Sequence, residues 1–271
     1  MMNDRRKRLA DLLQGGVVVV TAYDALQLSG DMAVPFLQEA NFFWLTTVNE
    51  PGWKAIIDCS RQHLVLVRPL RTESQIIFEG EKSDETICGL SGANEIITEK
   101  EFEGRLRHIA RHHAQVFTVF DTRDHGFVRN PAQTHLQSQL GRIFTDVVDC
   151  SKELTQLRSI KSPEELAAIR RAVRVTRAAF EIVRNHLEEY RYEYEIEADI
   201  TRSIRRANAQ HAYEPIIASG SNAVTLHYTE SRDRLSKKAA VLIDVGARVD
   251  GYAADITRTY CLQPTKRQKA V

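Results

Sequence analysis

Short apolar runs alternate with amphipathic stretches through the first 150 residues. Runs of β-branched or aromatic residues between polar, glycine or proline residues are typical of strands. They occur at Val17–Thr21, Phe42–Thr46, Ala55–Asp58, Leu64–Val67, Ile76–Phe78, Gln115–Phe120 and Phe144–Val148. Helical periodicity predicts helices over Asp31–Ala40, Lys100–His113 and Pro131–Leu140, the last capped by Asn130. This alternation indicates an α/β domain with a mixed sheet.

The pattern changes near Leu157, where longer helical stretches begin. Ser162-Pro163-Glu164-Glu165 combines a capping serine, a proline at the first helical position and a glutamate that completes a capping box. The apolar stripe of this long helix is predicted at Leu166, Ile169, Val173, Phe180, Val183 and Leu187. We therefore predict two domains, residues 1–157 and 158–271.

A second helix and several strands are predicted further along. The helix runs from Glu195 to about Gln210, with Ile196, Ile200, Ile204 and Ala207 on one face. Strand-like segments follow at Pro215–Ala218, Ala239–Ala247 and Tyr252–Cys261. This mixture differs from the regular alternation of the first domain, and it indicates a domain of another kind.

Composition and charge are ordinary for a soluble globular protein. Hydrophobic residues make up 43%, charged residues 27%, and the formal net charge is +1. This balance argues against nucleic acid or an anionic membrane as the main partner. We interpret the basic run Arg5–Arg8 as the solvated face of a first helix rather than a nucleic-acid arm. The apolar run Val17–Val20 is too short for a signal peptide, and no stretch has the length of a membrane span.

The cysteines and one histidine pair carry weaker signals. The four cysteines are scattered, with no C-x-x-C spacing, so we expect a reducing cytoplasm, although a disulfide stays open. His108 and His112 have a spacing that can chelate a metal from one helix face. No acidic residue accompanies them as in H-E-x-x-H, and we expect a solvated helix face.

The segment from Val241 to Tyr260 contains a strong hairpin signal. Asp250-Gly251 lies between two β-rich runs, and this dipeptide favours a two-residue turn. Such a turn pairs Val249 with Tyr252 and fixes the register of the whole hairpin.

That register brings two aspartates to one face of the hairpin. Gly246 is opposite Asp255, and Asp244 is opposite Thr257, so Asp244 and Asp255 are diagonal neighbours with backbones roughly 7–8 Å apart. Carboxylates that reach across such a gap can share a pair of metal ions. The alternative, that both are ordinary loop and surface residues, stays open at this point.

A second candidate lies upstream, in a loop rich in glycine, serine and asparagine. His227 follows this loop and the apolar residues Val224 and Leu226. Spacing alone leaves open whether His227 is catalytic or a structural histidine with its hydrogen bonds satisfied.

Several of these segments together resemble a known family. Five segments resemble the first half of the pita-bread metallopeptidase domain that aminopeptidase P and prolidase share. They are Glu214–Gly220, Asn222-Ala223, Leu226–Tyr228, Leu242–Ala247 and Gly251–Thr259. Val34–Thr46 and Asn49–Pro51 resemble the N-terminal domain of aminopeptidase P more than that of prolidase. Arg158–Glu165 is similar to the family's entry into the catalytic domain.

The resemblance implies a fold, a chemistry and site residues. The fold is a creatinase-like α/β N-terminal domain with a mixed sheet, followed by the first half of an α+β pita-bread domain. Asp244 and Asp255 match two of five ligands to two divalent metal ions, expected to be manganese, and Asp255 matches the ligand shared by both ions. His227 matches a catalytic histidine that contacts the scissile carbonyl or its tetrahedral intermediate. The implied substrate is a peptide with proline second, and the implied assembly is a homo-oligomer.

One departure from the family pattern concerns the remaining ligands. The family takes one histidine and two glutamates from positions well C-terminal of Thr259, whereas no residue after Thr259 here is histidine or glutamate. We therefore expect an Xaa-Pro aminopeptidase of which this chain is an inactive N-terminal fragment, able to take up a complementing C-terminal segment. The alternatives are a prolidase, which cleaves Xaa-Pro dipeptides, and a non-catalytic pita-bread binding module.

Overall fold

A computed structural model of the chain describes residues 2–120 and 129–270. The chain divides into two compact units, one ending at Ile160 and the other beginning at Lys161. Each unit is described by itself below. The domain boundary after residue 157 stays a prediction, close to this division. No helix of the described residues is long and apolar enough to cross a membrane.

The first unit is built on a six-stranded mixed sheet in the order β6-β5-β4-β1-β7-β8. Its strands are β1 (Val17–Thr21), β4 (Lys54–Asp58), β5 (His63–Arg68), β6 (Glu95–Thr98), β7 (Gln115–Thr118) and β8 (Asp146–Asp149). The strand β4 is antiparallel to β1 and β5, while β5–β6, β1–β7 and β7–β8 are parallel pairs. A separate hairpin consists of β2 (Gln27–Ser29) and β3 (Met32–Ala33). The predicted mixed sheet is confirmed.

Helices pack on both faces of this sheet. The helices of this unit are α1 (Met2–Leu13), α2 (Ala40–Thr46), α3 (Glu73–Glu79), α4 (Asp84–Ser91), α5 (Glu99–Ala110), α6 (Ala132–Gly141) and α7 (Ser151–Ser159), of which α3 buries no residue. Because side chains alternate along a strand, β1 sends Val18 and Val20 into one core and Val17 and Val19 into the other. The helices α1, α2, α4 and α7 contribute to the first core, and α5 and α6 to the second.

Three predicted elements of this unit are wrong. Phe42–Thr46 belongs to α2, and Ile76–Phe78 belongs to α3. Both helices are nucleated by caps, since the Glu39 carboxylate accepts from the Phe42 amide and Thr72 forms a capping box with Gln75. No helix spans Asp31–Ala40, because Pro35 disfavours helical backbone at the residue before it.

The basic run of α1 is only partly solvated, which corrects our interpretation. Arg5 and Arg6 are 5% and 4% exposed. Arg5 Nη1 donates to the Trp44 carbonyl at 3.0 Å, and Arg6 Nη1 donates to the Leu45 and Ser91 carbonyls at 3.0 Å. Two of the four basic residues, Arg5 and Arg6, therefore attach α1 to the ends of α2 and α4.

The second unit combines two helices with two small sheets. Its helices are α8 (Pro163–His186), α9 (Glu193–Arg206) and the short α10 (Lys266–Lys269), with a 3₁₀ helix at Gly220–Val224. Its strands are β9 (Gln210–His211), β10 (Ile216–Ser219), β11 (Val241–Val245), β12 (Ala247–Val249), β13 (Tyr252–Ala253) and β14 (Ile256–Tyr260). The sheets have the orders β10-β11-β14 and β13-β12-β9.

The buried face of α8 agrees with the predicted stripe at Phe180 and Val183 and differs from it in the first half of the helix. Leu166 and Val173 are each 39% exposed, whereas Ala168, Ala172, Thr176 and Ala179 are buried. Small residues let α8 approach the β12 backbone, where the Ala247 amide donates to Thr176 Oγ1 at 2.9 Å. The predicted face of α9 is confirmed for Ile196, Ile200 and Ile204, which are fully buried, but not for Ala207, which is exposed and lies just after the helix ends at Arg206.

Candidate metal centre

The hairpin that carries both aspartates has the predicted turn and register. Asp250 and Gly251 have φ values of 50° and 81°, as a two-residue turn with two left-handed residues requires. Val249 pairs with Tyr252, and Asp244 pairs with Thr257. The register derived from the sequence is confirmed at both ends of the hairpin.

Gly246 separates β11 from β12 at a close approach of two backbones. A Cβ atom on Gly246 would lie 1.8 Å from the Ala254 carbonyl oxygen and 3.2 Å from Tyr213 Cε1. The Ala254 amide donates to the Ala247 carbonyl at 2.9 Å, which holds the neighbouring strand in place. Because Gly246 has no side chain, Ala254, the residue before Asp255, can lie close to the strand that carries Asp244.

The two aspartates converge on one tyrosine hydroxyl. Val241, Ile243 and Val245 of β11 are buried, and the alternation leaves Asp244 half-buried on the opposite side. Asp255 is exposed, just before β14. The Tyr213 hydroxyl lies 2.5 Å from Asp244 Oδ1 and 2.9 Å from Asp255 Oδ1. The structure thus brings the two predicted carboxylates together.

Tyr213 is a site residue that the sequence analysis missed. Burial, together with its hydrogen bonds to Asp244 and Asp255, raises the pKa of this phenol well above its ordinary value. Tyr213 therefore stays protonated and acts as a donor to the pair. A phenol carries a single proton, so the neutral Tyr213 offers one donor to the two carboxylates and supplies no positive charge.

Converging carboxylate oxygens are ligands that hard divalent cations prefer. Asp244 and Asp255 therefore fit part of a metal site. The described residues contain no group of three or more histidine, cysteine, aspartate or glutamate side chains able to hold a metal ion. The exposed pair His108 and His112, with ring centroids 5.8 Å apart, belongs to no such group. The assignment of Asp244 and Asp255 as metal ligands stays a prediction.

His227 lies in an exposed loop after the 3₁₀ helix. Its neighbours Val224 and Leu226 are 85% and 84% exposed. Within the part of the chain that the structure describes, no hydrogen bond holds the His227 ring. Both the catalytic role of His227 and its structural alternative stay predictions.

Removing the Tyr213 hydroxyl gives a direct test of this geometry. Tyr213→Phe leaves the two carboxylates without their shared donor. Because hydrogen bonds to charged groups contribute about 1.5–3 kcal/mol, we expect a loss of that order in the free energy of unfolding. Urea unfolding of the 271-residue chain measures it. Tyr194→Phe, a change at a half-exposed tyrosine, is the control, and equal losses in both variants would contradict the shared-donor geometry.

Sequence comparisons identify both units. The model described as Aminopeptidase P, N-terminal domain, matches residues 2–119, and Metallopeptidase family M24 matches residues 167–271. The chain belongs to the aminopeptidase P group of the pita-bread metallopeptidases. The fold class expected from the sequence is confirmed: an aminopeptidase P N-terminal domain precedes part of an M24 catalytic domain.

Individual relatives agree with this family assignment. Xaa-Pro aminopeptidase of Escherichia coli is 28% identical over 94% of this chain and 60% of its own length. Intermediate cleaving peptidase 55 of Arabidopsis thaliana, a mitochondrial protein, is 26% identical over 94% of this chain and 51% of its own length. This member of the aminopeptidase P group therefore spans between half and two thirds of the length of these relatives.

Solved structures agree as well. Zn-substituted E. coli aminopeptidase P in complex with product superposes with a TM-score of 0.85 and 26% identity, over 99% of this chain and 64% of that one. A structure described as a possible aminopeptidase P from Bacillus anthracis gives a TM-score of 0.84 over 99% of this chain and 66% of that one. Its 23% identity supports the fold alone.

Proposed function

We propose that this chain is part of a metal-dependent aminopeptidase that releases the N-terminal residue from peptides with proline second. The observation that carries the proposal is the convergence of Asp244 and Asp255 on the Tyr213 hydroxyl. The substrate class is supported by the relatives named Xaa-Pro aminopeptidase.

The proposed roles follow from position and charge. Asp244 and Asp255 would hold divalent cations, for which we propose manganese. When bound, such ions supply a Lewis acid and an acidified water. His227, on its exposed loop, would contact the scissile carbonyl or its tetrahedral intermediate. We also propose a cytoplasmic location, supported by four free cysteines.

The proposed function is tested by a peptidase assay on a longer polypeptide, in which this chain is extended through the downstream reading frame. With Mn²⁺ we expect release of the first residue from Ala-Pro-Ala and no turnover of Ala-Ala-Ala. Cleavage of the dipeptide Ala-Pro alone would instead identify a prolidase. No metal-stimulated hydrolysis of any of these peptides would overturn the enzyme proposal and favour a binding module.

The 271-residue chain by itself is expected to have no peptidase activity and to bind Mn²⁺ weakly. Two carboxylates supply only part of the oxygen ligands that a hard divalent ion takes, and no histidine or glutamate follows Thr259. Isothermal titration with Mn²⁺ and the Ala-Pro-Ala assay measure both properties. Micromolar affinity together with turnover would contradict the expectation.

We further propose that the chain self-associates or takes up a complementing C-terminal segment. Large apolar side chains are exposed in both units, among them Ile77 at 79%, Phe78 at 68% and Leu166 at 39%. Adjacent exposed apolar side chains such as Ile77 and Phe78 are candidate contacts for another segment or chain. Light scattering should show species larger than a monomer, and a monodisperse monomer would speak against association.

A further inference from the structure

Glu193, in the first turn of α9, is a fully buried carboxylate with five hydrogen-bond donors. Its Oε1 accepts from the Ser219 amide at 2.7 Å, from Ser219 Oγ at 2.8 Å and from Asn222 Nδ2 at 3.3 Å. Its Oε2 accepts from the Tyr228 hydroxyl at 2.8 Å and from the Asp233 amide at 3.0 Å. A single side chain thus collects donors from one loop.

That loop, residues 219–233, is here called the His227 loop. Ser219 begins it, Asp233 ends it, and Tyr228 is the residue after His227. Further bonds close it: the Glu193 amide donates to the Asp233 carbonyl at 3.0 Å, and Asn222 Nδ2 donates to Asp233 Oδ2 at 2.9 Å. The carboxylate of Glu193 therefore connects both ends of the loop and the neighbour of His227.

The negative charge of Glu193 is what this arrangement requires. Burial alone would raise the pKa of Glu193, but donors from Ser219, Asp233 and Tyr228 outweigh it and hold the pKa below its ordinary value. A glutamine has one acceptor oxygen and one NH₂ group. If its NH₂ replaced Oε2, it would face the Asp233 amide, which can only donate.

We propose that Glu193 is a positioning residue that holds His227 in place for substrate through the His227 loop. The catalytic part of this inference rests on the proposed function. His227 has no hydrogen bond of its own in the described residues, so its position depends on the loop backbone. The bond from Tyr228 to Glu193 fixes that backbone at the adjacent residue.

Hydrogen exchange of the 271-residue chain tests the positioning role without any activity. Glu193→Gln should accelerate amide exchange across residues 219–233 by about tenfold, because a buried donor loses its acceptor and the loop opens locally. Glu195→Gln is the matched control. Glu195 lies in the same turn, but its Oε2 accepts from the Arg191 and Tyr192 amides, which lie outside the loop. Unchanged exchange in Glu193→Gln, or equal acceleration in the control, would overturn the inference.

A second variant keeps the inference testable if Glu193→Gln does not fold. Tyr228→Phe removes one donor to the same carboxylate and leaves the buried charge in place. We expect faster exchange around residue 227, smaller than in Glu193→Gln, with the exchange of β11 unchanged. No acceleration near residue 227 in a folded Tyr228→Phe would count against the inference.

Kinetics of the extended polypeptide test the link to His227. Glu193→Gln should lower kcat for Ala-Pro-Ala by about tenfold, with KM changed less than about twofold, since positioning acts on the reacting geometry. In a His227→Ala background the same substitution should have no further effect on kcat, because residues that act as a unit are non-additive. Additive losses would show that Glu193 acts on stability rather than through His227.

The two experiments separate this inference from the function on which it rests. If the extended polypeptide hydrolyses no peptide but Glu193→Gln still loosens the His227 loop, the enzyme proposal fails and the positioning of His227 stands. If hydrolysis occurs and exchange in the loop is unchanged, the function stands and the inference fails.

Discussion

Asp255→Ala in the polypeptide extended through the downstream reading frame is expected to abolish metal binding and peptidase activity together. Under the proposed roles, Asp255 is a carboxylate that two cations share, so its removal would leave both ions with less compensating charge at short range. Of the two aspartates that Tyr213 contacts, Asp244 alone would then remain. Metal content by mass spectrometry should fall from two ions to none, and kcat/KM for Ala-Pro-Ala should fall below detection.

His227→Ala serves as the contrasting variant. His227 lies on an exposed loop and makes no hydrogen bond or ion pair with either aspartate in the described residues, so the metal content should stay at that of the unmodified protein. Turnover should fall by about two to four orders of magnitude, the range for a group that assists the transition state. Loss of both ions in His227→Ala would contradict the separate roles assigned to the histidine and the aspartates.

The hairpin shows what the sequence alone can determine. Asp250-Gly251 permits few turn geometries, and side chains alternate with a period of two, so the turn fixes which residues share a face. The pairing of Asp244 with Thr257 follows from that local rule. Both aspartates of the candidate site were identified because their relation is local in the hairpin.

Short apolar runs are less informative. Phe42–Thr46 and Ile76–Phe78 contain strand-like residues, yet both form helices, since periodicity cannot separate short strands from short buried helices. The deciding signals were the caps at Glu39 and Thr72. In α8, Phe180 and Val183 of the predicted stripe are buried, but Leu166 and Val173 are not, because close packing against β12 selects alanine in the first half of the helix.

Tyr213 and Glu193 were missed for different reasons. The contacts of Tyr213 join residues 31 and 42 positions apart, which no local rule anticipates. Glu193 did have a signal. Its spacing from Ile196 and Ile200 places it on the apolar stripe of α9, and an acidic residue there needs buried donors.

Gly246→Ala is expected to disrupt the candidate site through sterics alone. The added Cβ would lie 1.8 Å from the Ala254 carbonyl oxygen, a backbone atom that cannot rotate away, and 3.2 Å from the Tyr213 ring. Either β13 or β11 must shift, which separates Asp255 from Asp244. We expect a loss of about 3 kcal/mol or more in the free energy of unfolding, the upper range for overpacking. Urea unfolding measures the loss, and hydrogen exchange over residues 241–260 locates it.

Gly104→Ala serves as a control for which the expected change in the free energy of unfolding has the opposite sign. Gly104 lies within α5, and a Cβ there would meet no atom within 4 Å. Alanine in a helix interior should stabilise the chain by about 0.5–1 kcal/mol relative to glycine. Destabilisation by both substitutions would indicate a general sensitivity to glycine replacement. Tolerance of Gly246→Ala, with unchanged exchange from Asp244 to Asp255, would show that the close approach to Ala254 does not hold the two carboxylates together.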